Sequence, residues 1–414
     1  MTATIGFEHD LTAPAFFADP YPIYSRLREE APVYWSESWG GWLLTRAADV
    51  AAALGDPQRF SSAGRVGYLL RGLPEGERDG LARLEAHYSV GLAHSDPPAH
   101  TRQRALLTRA FTPRVVERLR PRVEALVGAM LDAAAARGRL DLIADLAFPL
   151  PATMIAELLG APYDDLAQFR AWAEAINGLF GAAGRTSAGR ARAAQAAVEQ
   201  MHDYIGALAA ERRVRPTDDL LGRLVAAEAE GERLAPAELV AIAVTLFVAG
   251  HETTTHLIGN GALALLRHPD QLALLLGRPE LMPAAVEELL RYDTPVQRGW
   301  RMAAADLTIA GVSIPAGALV LPMLGAANRD PALYADPDRL DVARPPARHF
   351  GFGHGIHFCL GAPLARLEVP IALGALLRRF RGLRLAPNAE LRWRHDVALR
   401  GLEALPLVWG EAAR

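Results

Sequence analysis

Two rhythms of apolar and polar residues run along this chain, and they exchange places more than once. In "PVYWSESWGGWLLTRAADV", Pro32 to Val50, two aromatic and β-branched runs flank a Ser/Gly turn, which predicts a hairpin followed by a helix. Between Ala99 and Arg291, alanine, leucine, arginine and glutamate recur at three- and four-residue spacing, broken at "GAPYDD" and "RPTDD". That stretch reads as helical, and its most apolar part predicts one long helix from about Pro236 to Leu266. Beyond Asp306, "LTIAGVSIPAGALVLPML" returns to short strands with Gly/Pro turns. No repeat or low-complexity linker divides the chain. The pattern predicts a mainly α fold with small β-sheets in a single large domain, with a β-rich N-terminal part (about 1–95), a helical part (about 96–295) and a mixed C-terminal part (about 296–414).

Composition narrows the class. With 51% hydrophobic residues, 22% charged and a net charge of −3 over 414 residues, this is an ordinary globular composition. The single cysteine excludes an internal disulfide. "MTATIGFEHDLTAP" has neither a cationic start nor an apolar core and does not read as a signal peptide. The longest apolar run, Leu239 to Gly250, is shorter than the ~20 residues of a membrane span. A soluble, cytoplasmic protein without membrane or nucleic-acid partners is expected. All 44 basic residues are arginine, which points to a GC-rich genome more than to function.

The lone cysteine sits in "FGFGHGIHFCLGAP", Phe350 to Pro363. Cys359 can be a buried structural thiol, a nucleophile served by His357, or a metal ligand. One thiolate cannot close a zinc site, but it can be the one protein ligand of a haem iron. The glycines favour that last reading. Gly353, Gly355 and Gly361 let backbone approach a flat cofactor, and a helix opening just after the sulfur places N–H groups near a thiolate. Phe352 and Phe358 can shield it from water.

"FGHGIHFCLG", Phe352 to Gly361, resembles the cysteine-ligand loop of the cytochrome P-450 family, the haem-thiolate monooxygenases. The resemblance implies that family's fold, with a long oxygen-binding helix over haem and the cysteine loop beneath. It makes Cys359 the ligand of the iron of haem b, with Phe352 and Gly361 lining the loop.

Other segments match in order. Glu288 and Arg291 of "EELLR" lie three apart on one helix face, a surface pair by itself. In the family they form a buried network with a later arginine, here Arg344. "LFVAGHETTTH" contains two histidines, but His251 and His256 are five apart, roughly 140° around a helix, so a zinc-protease reading fails. The segment instead resembles the family's oxygen-binding helix, with small Ala249 and Gly250 beside the cofactor. Glu252 and Thr253 are then the acid and hydroxyl of proton delivery. His100 and Arg104 of "DPPAHTRQR", Arg301 of "GWRMA" and His357 match the family's ligands of the haem propionates.

The resemblance further places Thr245, Val248, Val296 and Gln297 at a substrate pocket. The atypical segment Ser62 to His94 falls where the family caps that pocket, and Phe169 to Arg185 reads as a helix ending in a glycine-rich lid. The implied reaction is hydroxylation or epoxidation of a small to medium apolar substrate by O2. Electrons come from NAD(P)H through a ferredoxin-type iron–sulfur protein and its reductase, acting on a monomer. Seven arginines against one acid, Glu117, between Arg102 and Arg122 suggest where an acidic donor docks. Rival readings are a peroxygenase using hydrogen peroxide, a member catalysing coupling or rearrangement, and a non-catalytic haem sensor.

Overall fold

In the computed structural model, residues 6–162, 166–181, 186–229, 234–345 and 347–410 are described. The longest element is the predicted one, the 32-residue helix Pro236–Arg267. Proline occupies its first turn, where a missing N–H costs nothing, and the Glu238 carboxylate accepts a 2.8 Å hydrogen bond from the Ala235 amide just before it. By length and mean hydropathy this helix could cross a bilayer, but half of its most apolar window is buried inside the protein. It packs against helices Pro149–Leu159, Ala188–Val214, Met282–Tyr292 and Ala362–Arg379. Leu257, Ile258, Leu263 and Leu265 are sealed in that core, each worth about 1.5–3 kcal/mol on burial.

The hairpin predicted at Pro32 to Val50 is present. Strands Val33–Ser36 and Gly41–Leu44 pair with Trp35 opposite Trp42, and the helix Ala47–Gly55 follows. These strands open a five-stranded sheet that continues through Leu319–Pro322, Arg301–Ala303 and Phe60–Ser61. Gly41–Leu44 and Leu319–Pro322 run parallel, the other pairs antiparallel. A separate hairpin, Leu307–Ile309 with Val312–Ile314, turns on Ala310 and Gly311, both at positive φ. A three-stranded sheet joins Leu140–Asp141, Pro406–Val408 and Arg384–Leu385.

One expectation is corrected. The first 95 residues are not β-rich: short helices such as Tyr21–Glu30, Arg65–Leu70 and Ala82–Val90 predominate around three short strands. The aromatic runs beside the Ser/Gly turn pair with each other and Phe60–Ser61 pairs with Arg301–Ala303; much of the remainder reaches the core through helical spacing, as Tyr24 and Leu27 do.

Candidate active site

The cysteine loop is shaped by its glycines. Gly353 and Gly355 hold φ of 72°, a left-handed conformation that side chains rarely adopt. A Cβ at Gly355 would also overlap the Leu54 carbonyl, so the loop lies directly on the helix Ala47–Gly55. The Cys359 amide donates to the Phe352 carbonyl at 2.9 Å, which closes the loop on itself. Burial pushes the Cys359 thiol up, while hydrogen bonds from the Gly361 and Ala362 amides and the charges of Arg104 and Arg366 pull it down. Phe352 is buried beneath the Arg366 guanidinium, 4.6 Å from its ring; Phe358, expected to shield the sulfur, is 38% exposed.

Around this loop stand basic side chains that form no ion pair among the described residues. His100 and His357 have ring centroids 4.3 Å apart, and the buried Nε2 of His100 has no hydrogen-bond partner. His357 Nε2 lies 2.9 Å from the Ser62 hydroxyl. Arg301, at the start of its strand, is 6% exposed and among the described residues donates only to the Trp300 carbonyl, at 2.7 Å. Among the described residues neither Arg104 nor Arg301 forms an ion pair. Asp96 attracts His100 and Arg301, but its oxygens are taken by the Ser61 hydroxyl and the Ser62 amide. Burial, with Arg301, His100 and Arg104 nearby, holds His357 down to about 3. An anionic group set among these four would reverse that shift and satisfy the orphaned donor. The arrangement fits the two propionates of a haem, and Cys359 fits its iron.

Two charged networks, one buried and one partly exposed, support the loop. Arg291 donates to both Glu288 oxygens, at 2.7 and 2.8 Å, and Arg344 adds a 3.2 Å hydrogen bond to Glu288. The sequence reading missed the second network. Glu287 receives Arg366 at 2.7 Å on each oxygen and lies 3.0 Å from His349. Burial alone would raise the Glu287 carboxyl, yet Arg366 and His349 hold it at about 2.

Beside the long helix lies a cavity of about 230 Å3. Of the residues expected at a substrate pocket, Thr245, Val248 and Val296 line it, together with Ala249, Glu252 and Thr253. Gln297 does not. It is 3% exposed and turned away, its amide donating to the Thr294 carbonyl at 2.7 Å, and its neighbour Arg298 lines the cavity instead. Segment 296–299 is extended, bridging Leu399 and Ala398, so successive side chains point to opposite sides. The atypical segment Ser62 to His94 roofs the cavity through Arg65, His87, Tyr88 and His94. Of the lid expected up to Arg185, Phe180 and Gly181 line it; residues 182–185 lie outside the described residues.

Glu252 is 8% exposed and bonded by the Asn177 amide, with Arg394 3.5 Å and His256 3.8 Å away. Burial would raise its carboxyl, but the His256, Arg394 and His251 rings and charges bring it below the ordinary range. His256 is held close by Gly401, where any Cβ would overlap its ring. Thr253 donates to the Ala249 carbonyl at 3.1 Å, the ordinary bond of a helical threonine. His251 bonds the Phe247 carbonyl, at 2.9 Å, and no cluster of metal-ligating side chains occurs among the described residues. Asn177, Arg394 and Asp396 reach the site from distant segments and carried no signal in the sequence.

Comparison with known proteins shows the family. The family model described as Cytochrome P-450 matches residues 75–275 and 276–390. The chain is 45% identical over 412 residues to Cytochrome P-450 107B1 of Saccharopolyspora erythraea, covering 98% of this chain and 99% of that one. It is 43% identical over 397 residues to the Mycinamicin IV hydroxylase/epoxidase of Micromonospora griseorubida, covering 93% and 94%. The crystal structure of myxobacterial cytochrome P-450 CYP267B1 in complex with myristic acid superposes with a TM-score of 0.87 at 39% identity, covering 98% of this chain and all of that one. A cysteine loop, an unneutralised cationic cradle and an acid–hydroxyl pair on one long helix thus occur in a sequence related to these enzymes over nearly its full length: the chain belongs to the cytochrome P-450 family, whose members are haem monooxygenases.

Proposed function

We propose that this protein hydroxylates or epoxidises a small to medium organic molecule, with Cys359 as the protein ligand of haem b. One oxygen atom of O2 enters a C–H or C=C bond and the other leaves as water, consuming two electrons and two protons. Haem, when bound, supplies the redox chemistry that activates O2. The single observation that carries this reading is the thiol set within His100, Arg104, Arg301 and His357, which no acid neutralises among the described residues.

The chain's own residues then have distinct tasks. The two arginines and two histidines hold the propionates, and the Gly361 and Ala362 amides stabilise the thiolate. Glu252 stands between the cavity and Arg394, whose side chain is 31% exposed, and moves protons inward from that side. Thr253 turns its hydroxyl from the Ala249 carbonyl into the cavity to pass them on. This acid–hydroxyl pair favours O2 with delivered electrons over hydrogen peroxide as oxidant. The relation to a hydroxylase/epoxidase supports both outcomes. Electrons from NAD(P)H arrive through a ferredoxin-type protein and its reductase, which dock near the exposed Arg114 and Arg118.

The test is reconstitution with haem, a ferredoxin, its reductase, NADPH and isotopically labelled O2. Label should enter product, and the reduced protein with carbon monoxide should show the thiolate-type absorption that Cys359→Ser loses. Product formed from hydrogen peroxide alone, or a thiolate-type spectrum retained in the variant, would overturn the reading.

A further inference from the structure

Two arginines line the substrate cavity, and among the described residues neither forms an ion pair. Arg65 and Arg298 are 6% and 7% exposed, and neither has a carboxylate within ion-pair distance among the described residues. The Arg65 guanidinium lies between two rings, 4.2 Å from the centroid of Phe180 and 4.8 Å from that of Trp300, and among the described residues its N–H groups have no hydrogen-bond acceptor. Arg298 donates one hydrogen bond, at 3.0 Å to the Phe180 carbonyl, and its buried Nε has no partner. Aromatic faces offset part of the cost of burying a guanidinium, but they do not satisfy its donors. Asp396 shares the cavity and attracts both arginines, but it lies beyond ion-pair distance of either, and its Oδ1 is occupied by the Ala398 and Leu399 amides at 2.7 and 2.9 Å. Glu252 is already held by Asn177 and faces Arg394.

We propose that the cavity takes an organic acid, its carboxylate held by Arg65 and Arg298 and its carbon skeleton lying along Val248, Ala249 and Thr253. The proposal rests on the monooxygenase reading and adds the substrate class. Arg65 opens the helix Arg65–Leu70 in the atypical roof segment, and Arg298 follows the wall residue Val296, so roof and wall each supply one cation. A carboxylate between them accepts charge-assisted hydrogen bonds from donors that are already desolvated and fixed. An uncharged analogue would leave those donors buried and unpaired.

The test compares a set of carboxylates, including dodecanoate and 4-methoxybenzoate, each with its methyl ester. Binding to the haem-loaded protein is measured by calorimetry and by the haem absorption shift. At least one acid should bind roughly 10- to 100-fold more tightly than its ester, the scale of hydrogen bonds to a charged group. That preference should vanish in Arg65→Gln and in Arg298→Gln and partly return in Arg65→Lys. If no acid outbinds its ester in the unmodified protein, or the preference survives in both glutamine variants, the assignment fails. The carbon monoxide spectrum of the same samples reports separately on the haem-thiolate reading.

Discussion

Arg291 grips Glu288 through two hydrogen bonds of 2.7 and 2.8 Å, and both side chains are all but sealed from solvent. The same guanidinium also donates to the carbonyls of Asn328, Pro337 and Arg339. One helix is thereby fastened to the irregular segment that leads into the cysteine loop.

Glu288→Ala and Arg291→Ala should each cost about 3–5 kcal/mol, because each strands a buried charge. Purified variants should carry little haem per chain and melt at lower temperature. Arg344→Ala should be milder, since that side chain is 14% exposed and makes one bond to Glu288. Full haem loading in Glu288→Ala would show the network to be dispensable.

Glu368, on the helix that follows the cysteine, is fully buried with neither oxygen bonded, and burial pushes its carboxyl up to about 8. In the unfolded chain it releases its proton near 4.5, so the folded state binds more protons between those values. Stability therefore falls as pH rises through that window and levels off above about 8. The loss by pH 7 is on the order of 3 kcal/mol. Glu368→Gln should flatten the dependence of melting temperature on pH between 5 and 8 (roughly the linkage window); parallel profiles for the two proteins would contradict it.

Thr253→Ala should keep its spectrum and near-normal substrate affinity while releasing more hydrogen peroxide and less product per NAD(P)H consumed. Glu252→Gln should instead slow the whole cycle, because the carboxyl between the cavity and Arg394 no longer exchanges protons. A product ratio unchanged in Thr253→Ala would leave its hydroxyl with only the Ala249 carbonyl bond seen at rest.

Of the seven arginines between 102 and 122, Arg102, Arg120 and Arg122 already have acid partners in Glu238, Glu117 and Glu157. Arg114 and Arg118 are exposed. Arg114→Glu with Arg118→Glu should slow reduction by an acidic ferredoxin several-fold at low salt, with the difference shrinking as salt rises. Stopped-flow reduction measured across ionic strength checks this.

What could be read from the sequence was what lies close together in it. Glu288 and Arg291 are three apart on a helix, and Cys359 sits among its own glycines. Such local spacing is visible without a fold. His256 is a turn away from Glu252 on the same helix, but Asn177 and Arg394 reach that carboxylate only because distant segments pack together. Gln297 was misplaced by a single position, because an extended segment exchanges its faces at every residue. Arg65 and Arg298 gave no signal, since an arginine in sequence is presumed solvated until burial is seen.

The cysteine loop and the cavity wall rest on the same residue. A Cβ at Gly355 would strike the Leu54 carbonyl, and one at Gly299, between Arg298 and Trp300, would press on the Leu54 side chain at 3.3 Å. By contrast, Gly72, Gly76 and Gly80 in the roof have open space where a side chain would be added. A lineage or an engineer retuning substrate range therefore has latitude overhead and almost none at this joint, where a change to the wall is also a change to the footing of the cysteine loop.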